Sequence, residues 1–337
     1  MAFEITGTGR AVPPNRVSNQ DLAARVDTSD EWIRSHTGIG ARHLSDEKTA
    51  AGDLALEAAQ KALAMAGGDW QTAAGTLDMI ILATATPDHL GCPSTACIVQ
   101  ERLGAKQAGA MDITAGCTGF IYALETAAGL MSTGAGRKRV LVIGAEVLSK
   151  VTDWDDRGSC VLFGDGAGAA VLERTAAPAE GPGKRGLLRT VLGADGSGAD
   201  YLMIRRGGGR FPFKAGETVD KPAHLEMNGR AVYNFAVKAM TETIEKLLVQ
   251  EGIAVEDLAW IAPHQANARI VQAAAKRLAI PEEKFFLNIE EYANTSAASI
   301  PIALDELNRG GKLRRGDLVL TVGFGGGLTY GGNLIVW

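Results

Sequence analysis

The sequence predicts an α/β fold built from two similar halves, and three observations support that prediction. Short runs rich in branched apolar residues, typical of buried strands, alternate along the chain with longer segments of helical periodicity. The order of these elements in the first half recurs in the second, which indicates a duplicated unit. The chain has 337 residues and is 46% hydrophobic, enough for a large core and about two domain-sized units.

The predicted strands are the apolar runs at 79–83, 139–143, 169–172, 260–262 and 318–322. The predicted helices are the periodic segments at 54–66, 120–131, 232–250 and 268–278. Strands that alternate with helices in this way favour buried, mostly parallel sheets. A Pro/Gly/Ala-rich stretch at 175–184 is typical of a connector. We therefore expect two units, at residues 1–174 and 185–337.

The repeat places two strand-to-helix corners in equivalent positions. The first is MDITAGCTGFIYALE (111–125) and the second is FLNIEEYANTSAASIPIALDEL (286–307). Each is followed by a basic, glycine-containing turn and an apolar strand, and each half then closes with a predicted Gly-rich turn between strands. Equivalent corners of two similar halves are related by a pseudo-dyad, so we expect Cys117 and Asn294 to lie near one another.

Composition excludes several classes of function. The net charge of −5 comes without a basic stripe, which argues against a nucleic-acid partner. No run of about 18 uncharged apolar residues occurs, and the start MAFEITGTGR does not resemble a secretory leader. We therefore expect neither a membrane span nor a signal peptide. The four cysteines lie in apolar or small-residue settings, as expected for reduced thiols of a cytoplasmic protein.

Cys117 is predicted to lie where a strand ends and an apolar helix begins. Unpaired backbone N–H groups and the positive end of the helix dipole favour thiolate at such a place, so we expect a lowered pKa. A free cysteine is also commonly a small buried apolar residue, and position alone leaves both interpretations open. The other three cysteines lack this context and are interpreted as packing residues: Cys92, Cys97 and Cys160.

Two further polar residues are candidates for chemistry. His264 follows a predicted strand in APHQANARI (262–270), a common place for a catalytic histidine in α/β sheets. Asn294 begins NTSAAS (294–299). Its side chain could cap a helix, or it could donate an amide hydrogen bond to a developing enolate oxygen.

Two glycine-rich segments have different interpretations. GFGGGLTYGG (323–332) permits close backbone approach, so that an N–H group can point into a site. GDGAGAA (164–170) mimics a dinucleotide-binding fingerprint, but a strand follows it instead of a helix, which excludes that function. The spacing of His89, Cys92 and Cys97 fits no zinc pattern, so we predict no metal site.

The cysteine at a helix start, PHQAN, NTSAAS and FGGG occur in this order, and the set is highly specific. It resembles the thiolase-like condensing enzymes, most closely the β-ketoacyl-acyl carrier protein synthase III family. DTSDEWI (27–33), TGI (37–39), DRG (156–158) and FGDGAGAAVL (163–172) also stand in family order, so the resemblance runs almost end to end. It implies a thiolase-like fold, in which two pseudo-duplicated α/β halves form five αβαβα layers.

The resemblance implies a decarboxylative Claisen condensation of an acyl-coenzyme A primer with malonyl-acyl carrier protein, which initiates type II fatty acid synthesis. It implies a catalytic triad of Cys117, His264 and Asn294, and an oxyanion hole formed by the backbone N–H groups of Cys117 and Gly326. Cys117 would carry the acyl group, while His264 Nε2 and the Asn294 amide would stabilise the enolate. No metal or redox cofactor is implied, since the coenzyme A thioester is itself the substrate.

The resemblance also implies binding residues and a homodimer. The coenzyme A contacts it implies are Thr28, Trp32, Arg157 and Asn267. The surface it implies for the acyl carrier protein is formed by Arg269, Lys276 and Arg277.

Some positions depart from the family pattern or stay without a firm role. His36 stands where the family commonly has an arginine beside the adenine and phosphates, and Arg34 or Arg42 is the candidate to compensate. Tyr233 stands where another aromatic residue is usual. Cys92 falls where the family often lines the partner subunit's acyl pocket, and its small size predicts room for short branched or medium primers. The basic, Gly-rich loop 205–218 is expected to flank the mouth of the site.

Three alternatives remain at this point. A condensing enzyme of secondary metabolism shares the triad and differs in its starter acyl group. A papain-like hydrolase also uses cysteine, histidine and asparagine, but its cysteine lies near the N-terminus in a Trp-flanked motif that is absent here. A non-catalytic partner subunit of a condensing complex would be expected to lack the nucleophile, which this chain retains.

Overall fold

The computed structural model describes residues 3–133, 136–175, 185–216 and 223–337. Most of the predicted connector 175–184 and the end of the predicted loop 205–218 lie outside these residues. The strands are β1 (Phe3–Ala11), β2 (Arg16–Ser18), β3 (Ala41–His43), β4 (Met79–Ala83), β5 (Gly109–Ile113), β6 (Arg139–Val147), β7 (Asp165–Arg174), β8 (Gly186–Ala194), β9 (Leu202–Ile204), β10 (Leu225–Met227), β11 (Leu258–Pro263), β12 (Leu318–Gly325) and β13 (Thr329–Val336). The helices are α1 (Asn19–Ala23), α2 (Asp30–Thr37), α3 (Ala51–Gly67), α4 (Trp70–Ala74), α5 (Thr95–Leu103), α6 (Gly119–Ser132), α7 (Gly229–Glu251), α8 (Ala268–Leu278), α9 (Ile289–Tyr292) and α10 (Ser299–Arg309).

Two sheets form the framework, and both are mixed. The first has the order β1-β7-β6-β4-β5, with β7 antiparallel to both of its neighbours and β4 parallel to both of its own. The second has the order β11-β12-β13-β8, in which only β11 and β12 are parallel. The expectation of mostly parallel strands is therefore wrong. The chain between β6 and β7 contains a short 3-10 helix and no crossover helix, so β7 runs back antiparallel beside β6.

The layers follow from the apolar faces. Helix α3 packs on one face of the first sheet, and α6 and α10 lie between the two sheets in a shared core. Helices α7 and α8 cover the outer face of the second sheet. The order is helix, sheet, helix pair, sheet and helix pair, so the predicted five-layer αβαβα architecture is confirmed.

The local predictions vary in accuracy. Strand β4 and helix α8 have the bounds predicted for 79–83 and 268–278, whereas β6 and β7 extend well beyond the predicted runs. The glycine-rich run GDGAGAA (164–170) of the first half does not form a turn between strands, because Gly166 and Gly168 lie within β7 and Gly164 directly precedes it. A Cβ at Gly168 would lie 2.6 Å from the backbone nitrogen of Ile302, so this strand needs glycine for α10 to pack closely against it.

The two predicted strand-to-helix corners correspond to each other, but the matching residues differ from the prediction. Short 3-10 helices at Gly116–Thr118 and Ser296–Ala298 lead directly into α6 and α10. Cys117 and Ala297 are therefore the matching residues, and Asn294 precedes its turn. No strand runs through the predicted second-half segment, where Phe285 makes only an isolated bridge to Ile261. The two 3-10 helices contact each other between the halves of the molecule.

Candidate active site

One cavity of about 620 Å³ collects the predicted catalytic residues. Cys117, His264, Asn294 and Gly326 all line it, although they come from widely separated parts of the sequence. Its lining is mostly apolar and includes Tyr233. A mostly apolar cavity with a few convergent polar groups is the usual form of a small-molecule site.

The nucleophile turn packs closely against the end of β12. A Cβ at Gly325 would lie 2.5 Å from the backbone nitrogen of Cys117, so only glycine fits there without displacing the turn. The Thr118 hydroxyl donates to Thr329 Oγ1 at 2.9 Å, which joins the turn to the start of β13. Hydrogen bonding from the backbone N–H groups of Cys117 and Gly326 lowers the pKa of the Cys117 thiol, and Gly326 N lies against the same turn. Two backbone donors therefore converge on the atom that would react.

Burial raises the pKa of the Cys117 thiol to about 12. The nearby Glu146 carboxyl raises this pKa further, whereas hydrogen bonds from Ser296 and from the two backbone N–H groups lower it. The expectation that the helix start lowers the pKa is wrong, because loss of hydration outweighs the favourable N–H groups. Resting Cys117 is consequently a neutral thiol that must lose a proton before it attacks.

His264 is held neutral and in a fixed orientation at the end of β11. It is 1% exposed, and burial lowers its pKa to about 3. Its Nδ1 lies 2.8 Å from Ser299 Oγ, and its backbone N–H donates to Val322 O at 2.7 Å. Its Nε2 is buried without a partner in the described residues. This nitrogen is the one available to a substrate.

Asn294 has its side-chain amide oriented by its neighbour. Ser296 N donates to Asn294 Oδ1 at 2.9 Å, which leaves the NH₂ group as the free end. The backbone of Asn294 is tied to the other half of the protein by hydrogen bonds to Leu162 and Gly164. Asn294 is not the N-cap of α10, since Ala298 has that position.

Ser296 is connected to all three of these residues and was missed at the sequence level. Its N–H donates to Asn294, and its carbonyl accepts at 2.9 Å from the hydroxyl of Ser299, which is the neighbour of His264. Hydrogen bonding from its own hydroxyl lowers the pKa of the Cys117 thiol. It also has a left-handed backbone conformation, with φ of 49°. A non-glycine residue held in this region is strained, and such strain concentrates at functional sites.

Glu146 is a second residue that the sequence analysis did not single out. It lies near the end of β6, is 0% exposed and accepts a hydrogen bond from Ser296 Oγ at 2.9 Å. The sequence signal was a carboxylate within the apolar run RVLVIGAEV (139–147), because buried carboxylates are rare unless they are paired.

The wide end of the cavity has an aromatic platform. The Trp32 and His36 rings stack with centroids 4.4 Å apart, and the Arg157 guanidinium lies 4.9 Å from the Trp32 ring centroid. Asn267 also lines the cavity, where it caps α8 and donates from Nδ2 to His36 O at 3.1 Å. Thr28 is not brought into this group, because it lines a smaller neighbouring cavity.

Both predicted substitutes for a phosphate-binding arginine have other partners. Arg34 donates to Asp30 and to Glu290, the latter at 2.6 Å. Arg42 is fully buried and donates to Asn19 and to a backbone carbonyl. The expectation that one of them replaces the charge missing at His36 is therefore wrong for Arg42, which solvent cannot reach, whereas for Arg34, whose side chain is 44% exposed, it stays a prediction.

The remaining predicted positions lie outside the cavity. The α8 residues Arg269, Lys276 and Arg277 are exposed and have no ion-pair partner among the described residues. All four cysteines are free; Cys92 and Cys97 are exposed and Cys160 is buried. Across the described ranges, no cluster of three potential metal ligands occurs. Within the same ranges, every helix is too short or too polar to cross a bilayer.

Comparison with known proteins identifies the family. The family model for 3-oxoacyl-[acyl-carrier-protein] synthase III matches residues 111–196, and the model for its C-terminal part matches residues 248–337. A beta-ketoacyl-[acyl-carrier-protein] synthase III of Clostridium perfringens is 51% identical over 333 residues, covering 98% of each chain. The chain belongs to the β-ketoacyl-acyl carrier protein synthase III family. Members of this family are condensing enzymes of the acyltransferase class.

Solved structures agree with this family assignment. The 3-oxoacyl-[acyl-carrier-protein] synthase III of Aquifex aeolicus superimposes with a TM-score of 0.88 at 44% identity, covering 99% of this chain and 100% of that one. The priming beta-ketosynthase of the R1128 polyketide pathway gives a TM-score of 0.87 at 32% identity, covering 99% and 96%. The synthase III proteins of Clostridium perfringens and Aquifex aeolicus are thus more similar in sequence to this chain than that polyketide enzyme is.

Proposed function

We propose that the protein condenses an acyl-coenzyme A primer with malonyl-acyl carrier protein to give 3-oxoacyl-acyl carrier protein, the reaction that initiates type II fatty acid synthesis. The observation that carries this proposal is the convergence of Cys117, His264 and Asn294 on one largely apolar cavity in a chain of the synthase III family. The thioester substrates supply the reactive groups, so the reaction needs no metal or redox cofactor.

In the first half-reaction, Cys117 attacks the primer thioester and coenzyme A leaves. The backbone N–H groups of Cys117 and Gly326 already converge on the sulfur, which supports their role as donors to the tetrahedral oxyanion. A preorganised donor of this kind contributes about 3 kcal/mol to the transition state. The acyl-cysteine divides one difficult reaction into two easier ones.

In the second half-reaction, malonyl-acyl carrier protein loses CO₂ and its enolate attacks the acyl group on Cys117. The Asn294 NH₂ group and His264 Nε2 stabilise the enolate oxygen by hydrogen bonds. This role requires neutral His264 with its proton on Nε2, and the lowered pKa supports the neutral form. The Ser299 hydroxyl donates to Ser296 O in the structure, so the required tautomer needs this hydroxyl to turn and donate to His264 Nδ1, 2.8 Å away. Ser296 O then keeps the backbone N–H of Ser299 as its donor.

Coenzyme A binds at the platform of Trp32 with Arg157 and Asn267, where the adenine replaces one of the present stacking partners of Trp32. Two contacts of the Trp32 indole support this. The His36 ring stacks on it and the Arg157 guanidinium lies over it, so the indole accepts a flat or a cationic group. Thr28 remains a proposed contact with less support, because it lines the neighbouring cavity.

The acidic carrier protein docks on the basic end of α8. Arg269, Lys276 and Arg277 are exposed, and arginine and lysine side chains steer an acidic partner by charge. Lys276→Glu together with Arg277→Glu should raise the KM for malonyl-acyl carrier protein and weaken its salt dependence. Lys238→Glu on α7 is the matched control, since Lys238 is also exposed but lies on another helix.

We also propose a cytoplasmic homodimer whose chains each comprise the halves 1–174 and 185–337. The first half contributes every strand of the first sheet (order β1-β7-β6-β4-β5), and the second half contributes every strand of the second sheet (order β11-β12-β13-β8).

An exposed apolar surface suits a partner subunit. It is formed by Leu90, 72% exposed, and Phe213, 47% exposed, which lie together beside Gly207. Free thiols support a reducing compartment. Sedimentation of the purified chain tests the dimer.

A priming enzyme of polyketide synthesis is the second candidate, favoured by the 32% identity to the R1128 ketosynthase. The 51% identity to a fatty-acid-type synthase III favours the first. The two differ in the starter acyl group. Cys92, which is exposed beside Leu90, leaves space in the partner's acyl pocket for short branched or medium primers.

One experiment tests the function and the primer together. Purified protein is incubated with acetyl-, isobutyryl-, hexanoyl- and benzoyl-coenzyme A, with and without malonyl-acyl carrier protein. Mass spectrometry should detect an acyl group on Cys117 and then 3-oxoacyl-acyl carrier protein. Cys117→Ala should abolish the adduct, and Cys97→Ala serves as the matched control. Absence of any adduct on Cys117 with every primer contradicts the proposal, and an adduct from benzoyl-coenzyme A alone supports the polyketide candidate.

A further inference from the structure

Glu146 is surrounded by hydrogen-bond donors in the protein interior. Its carboxyl accepts from the backbone N–H groups of Ala85 and Thr86, both at 3.1 Å, and from the Thr86 hydroxyl at 2.6 Å. The hydroxyls of Thr84 and Ser296 complete the set at 3.2 and 2.9 Å. A buried carboxylate with this many donors is stable only because they replace the water it has lost.

Four of these five groups can only donate a hydrogen bond to Glu146 and cannot accept one from it. The two backbone N–H groups only donate. The Thr86 hydroxyl oxygen accepts from Val147 N at 2.9 Å, and the Thr84 hydroxyl oxygen accepts from Thr86 N at 3.0 Å. Each threonine proton is therefore directed to Glu146. The Ser296 hydroxyl is different, because Ser296 also lies near Cys117. Both residues line the same cavity, their 3-10 helices contact each other, and hydrogen bonding from the Ser296 hydroxyl lowers the pKa of the Cys117 thiol.

Ser296 thus lies between a thiol that must lose a proton and a carboxylate that can take one. The distance from Ser296 Oγ to Glu146 Oε1 is 2.9 Å, and both residues are almost completely buried. The strained backbone of Ser296 is held by its bonds to Asn294 and Ser299, which fixes the hydroxyl between the two groups. The proposed role of His264 keeps a proton on Nε2, with Nδ1 bound to Ser299, so the path through Ser296 gives Cys117 a proton acceptor separate from the histidine.

We propose that Glu146 is the proton acceptor for Cys117 and that the Ser296 hydroxyl relays the proton. As the Cys117 sulfur bonds to an electrophilic carbon, its proton passes to Ser296 Oγ, and the Ser296 proton passes to Glu146 Oε1. In the acyl transfer, the carbon–sulfur bond to coenzyme A breaks and the departing thiolate takes a proton from solvent. Glu146 later returns its proton to solvent through the same hydroxyl. The acyl-transfer form of this step rests on the proposed function.

The properties of the carboxyl fit this role. Burial raises the pKa of Glu146, while hydrogen bonds from Thr86, Ala85, Ser296 and Thr84 lower it. A carboxylate with a raised pKa is a stronger base than one in water, and general bases act best when their pKa lies near the working pH. In this proposal Ser296 is the residue next to the reacting sulfur. Glu146 does not touch the sulfur: it accepts the proton through Ser296 and is therefore a positioning residue.

The test uses alkylation of Cys117 by iodoacetamide, a reaction that does not depend on the proposed substrates. Sulfur displaces iodide, and peptide mapping gives a separate rate for each cysteine. Wild-type Cys117 should show a rate that rises as Glu146 loses its proton and then reaches a plateau. In Glu146→Gln the rate at pH 7 should fall by about 100-fold, the usual contribution of a general base. It should then rise about tenfold per pH unit, as expected for direct ionisation of a thiol with high pKa.

Exposed Cys92 and Cys97 are internal controls whose alkylation rates should be the same in all variants. Ser296→Ala keeps the other four donors to Glu146, so it tests the relay even where Glu146→Gln fails to fold, and it should give the same loss of the plateau. The proposal is overturned if folded Ser296→Ala or Glu146→Gln keeps the wild-type pH profile at Cys117. Absence of acyl transfer in wild type, with a normal alkylation plateau, contradicts the proposed function and leaves the relay supported.

Discussion

Ser296 N donates to Asn294 Oδ1 at 2.9 Å, and this bond decides which end of the Asn294 side chain meets a substrate. With its oxygen engaged, the amide can present only its NH₂ group to the cavity. The same residue therefore accepts a local hydrogen bond through Oδ1 and keeps its NH₂ group for the enolate-binding role proposed above.

Asn294→Asp separates these two tasks. The aspartate keeps an acceptor for Ser296 N–H but presents an oxygen to the enolate instead of a donor. Condensation should fall by at least about 100-fold, as expected for loss of one preorganised donor, while formation of acyl-Cys117 persists. Quenched-flow measurement of both half-reactions checks this. Equal losses in acylation and condensation would contradict the assignment of Asn294 to the second step.

Gly325→Ala should disable catalysis through geometry alone. The new Cβ would lie 2.5 Å from Cys117 N, so the nucleophile turn has to move away from β12. A displacement of about 1 Å at a catalytic group can cost about 100-fold in rate. The kcat for condensation should show this loss. Gly129→Ala is the matched control, because a Cβ at Gly129 of α6 meets no atom within 4 Å, and it should leave kcat unchanged.

Because His264 is buried in its neutral form, we expect the free energy of unfolding to fall at acidic pH. Its pKa is lowered from 6.5 to about 3 in the folded protein, so between these values the unfolded chain binds the extra proton. Its contribution is fully present above pH 6.5 and is lost as pH falls toward 3, by about 1.4 kcal/mol per pH unit. Urea unfolding of wild type and His264→Gln at pH 4 to 7 measures it. The free energy of unfolding should fall less steeply in the variant, and parallel curves would refute the prediction.

Trp32→Ala should weaken binding of the nucleotide without changing the chemistry. Loss of one aromatic stacking contact costs about 1–3 kcal/mol, so the KM for acyl-coenzyme A should rise about 10-fold or more with little change in kcat. An acyl thioester of N-acetylcysteamine, which lacks the nucleotide, is the control substrate. Its kinetics should be the same in wild type and variant, and an equal defect with both substrates would place Trp32 outside the nucleotide site.

Secondary-structure elements that depend on neighbouring residues in the chain could be predicted from the sequence. Helix α8 begins at the cap Asn267 and has one apolar face, so its bounds could be predicted directly. The direction of β7 could not, because it depends on the absence of a crossover helix between two apolar runs. The predicted lowering of the Cys117 pKa also failed, since it considered the helix start and not the depth of burial.

The candidate site was partly predictable for the same reason. Cys117, His264 and Asn294 stand in distinctive short motifs, whereas Glu146 and Ser296 acquire their roles only through a contact between residues 150 positions apart. A serine among alanines and an acid within a strand have no local pattern that links them. Their relationship arises from the docking of the two halves.

The close packing of Gly325 and Gly326 on the Cys117 turn also determines when the enzyme can become active during its synthesis. Cys117 leaves the ribosome long before the β12–β13 hairpin that supplies Gly326. Until that hairpin pairs with β8, the nascent chain has a thiol but lacks the second proposed oxyanion donor, the Gly326 N–H, and lacks β12, the strand that holds β11 and His264 in place. Catalysis therefore begins only after the second sheet has closed, and an unfinished polypeptide cannot consume primer in an unproductive reaction.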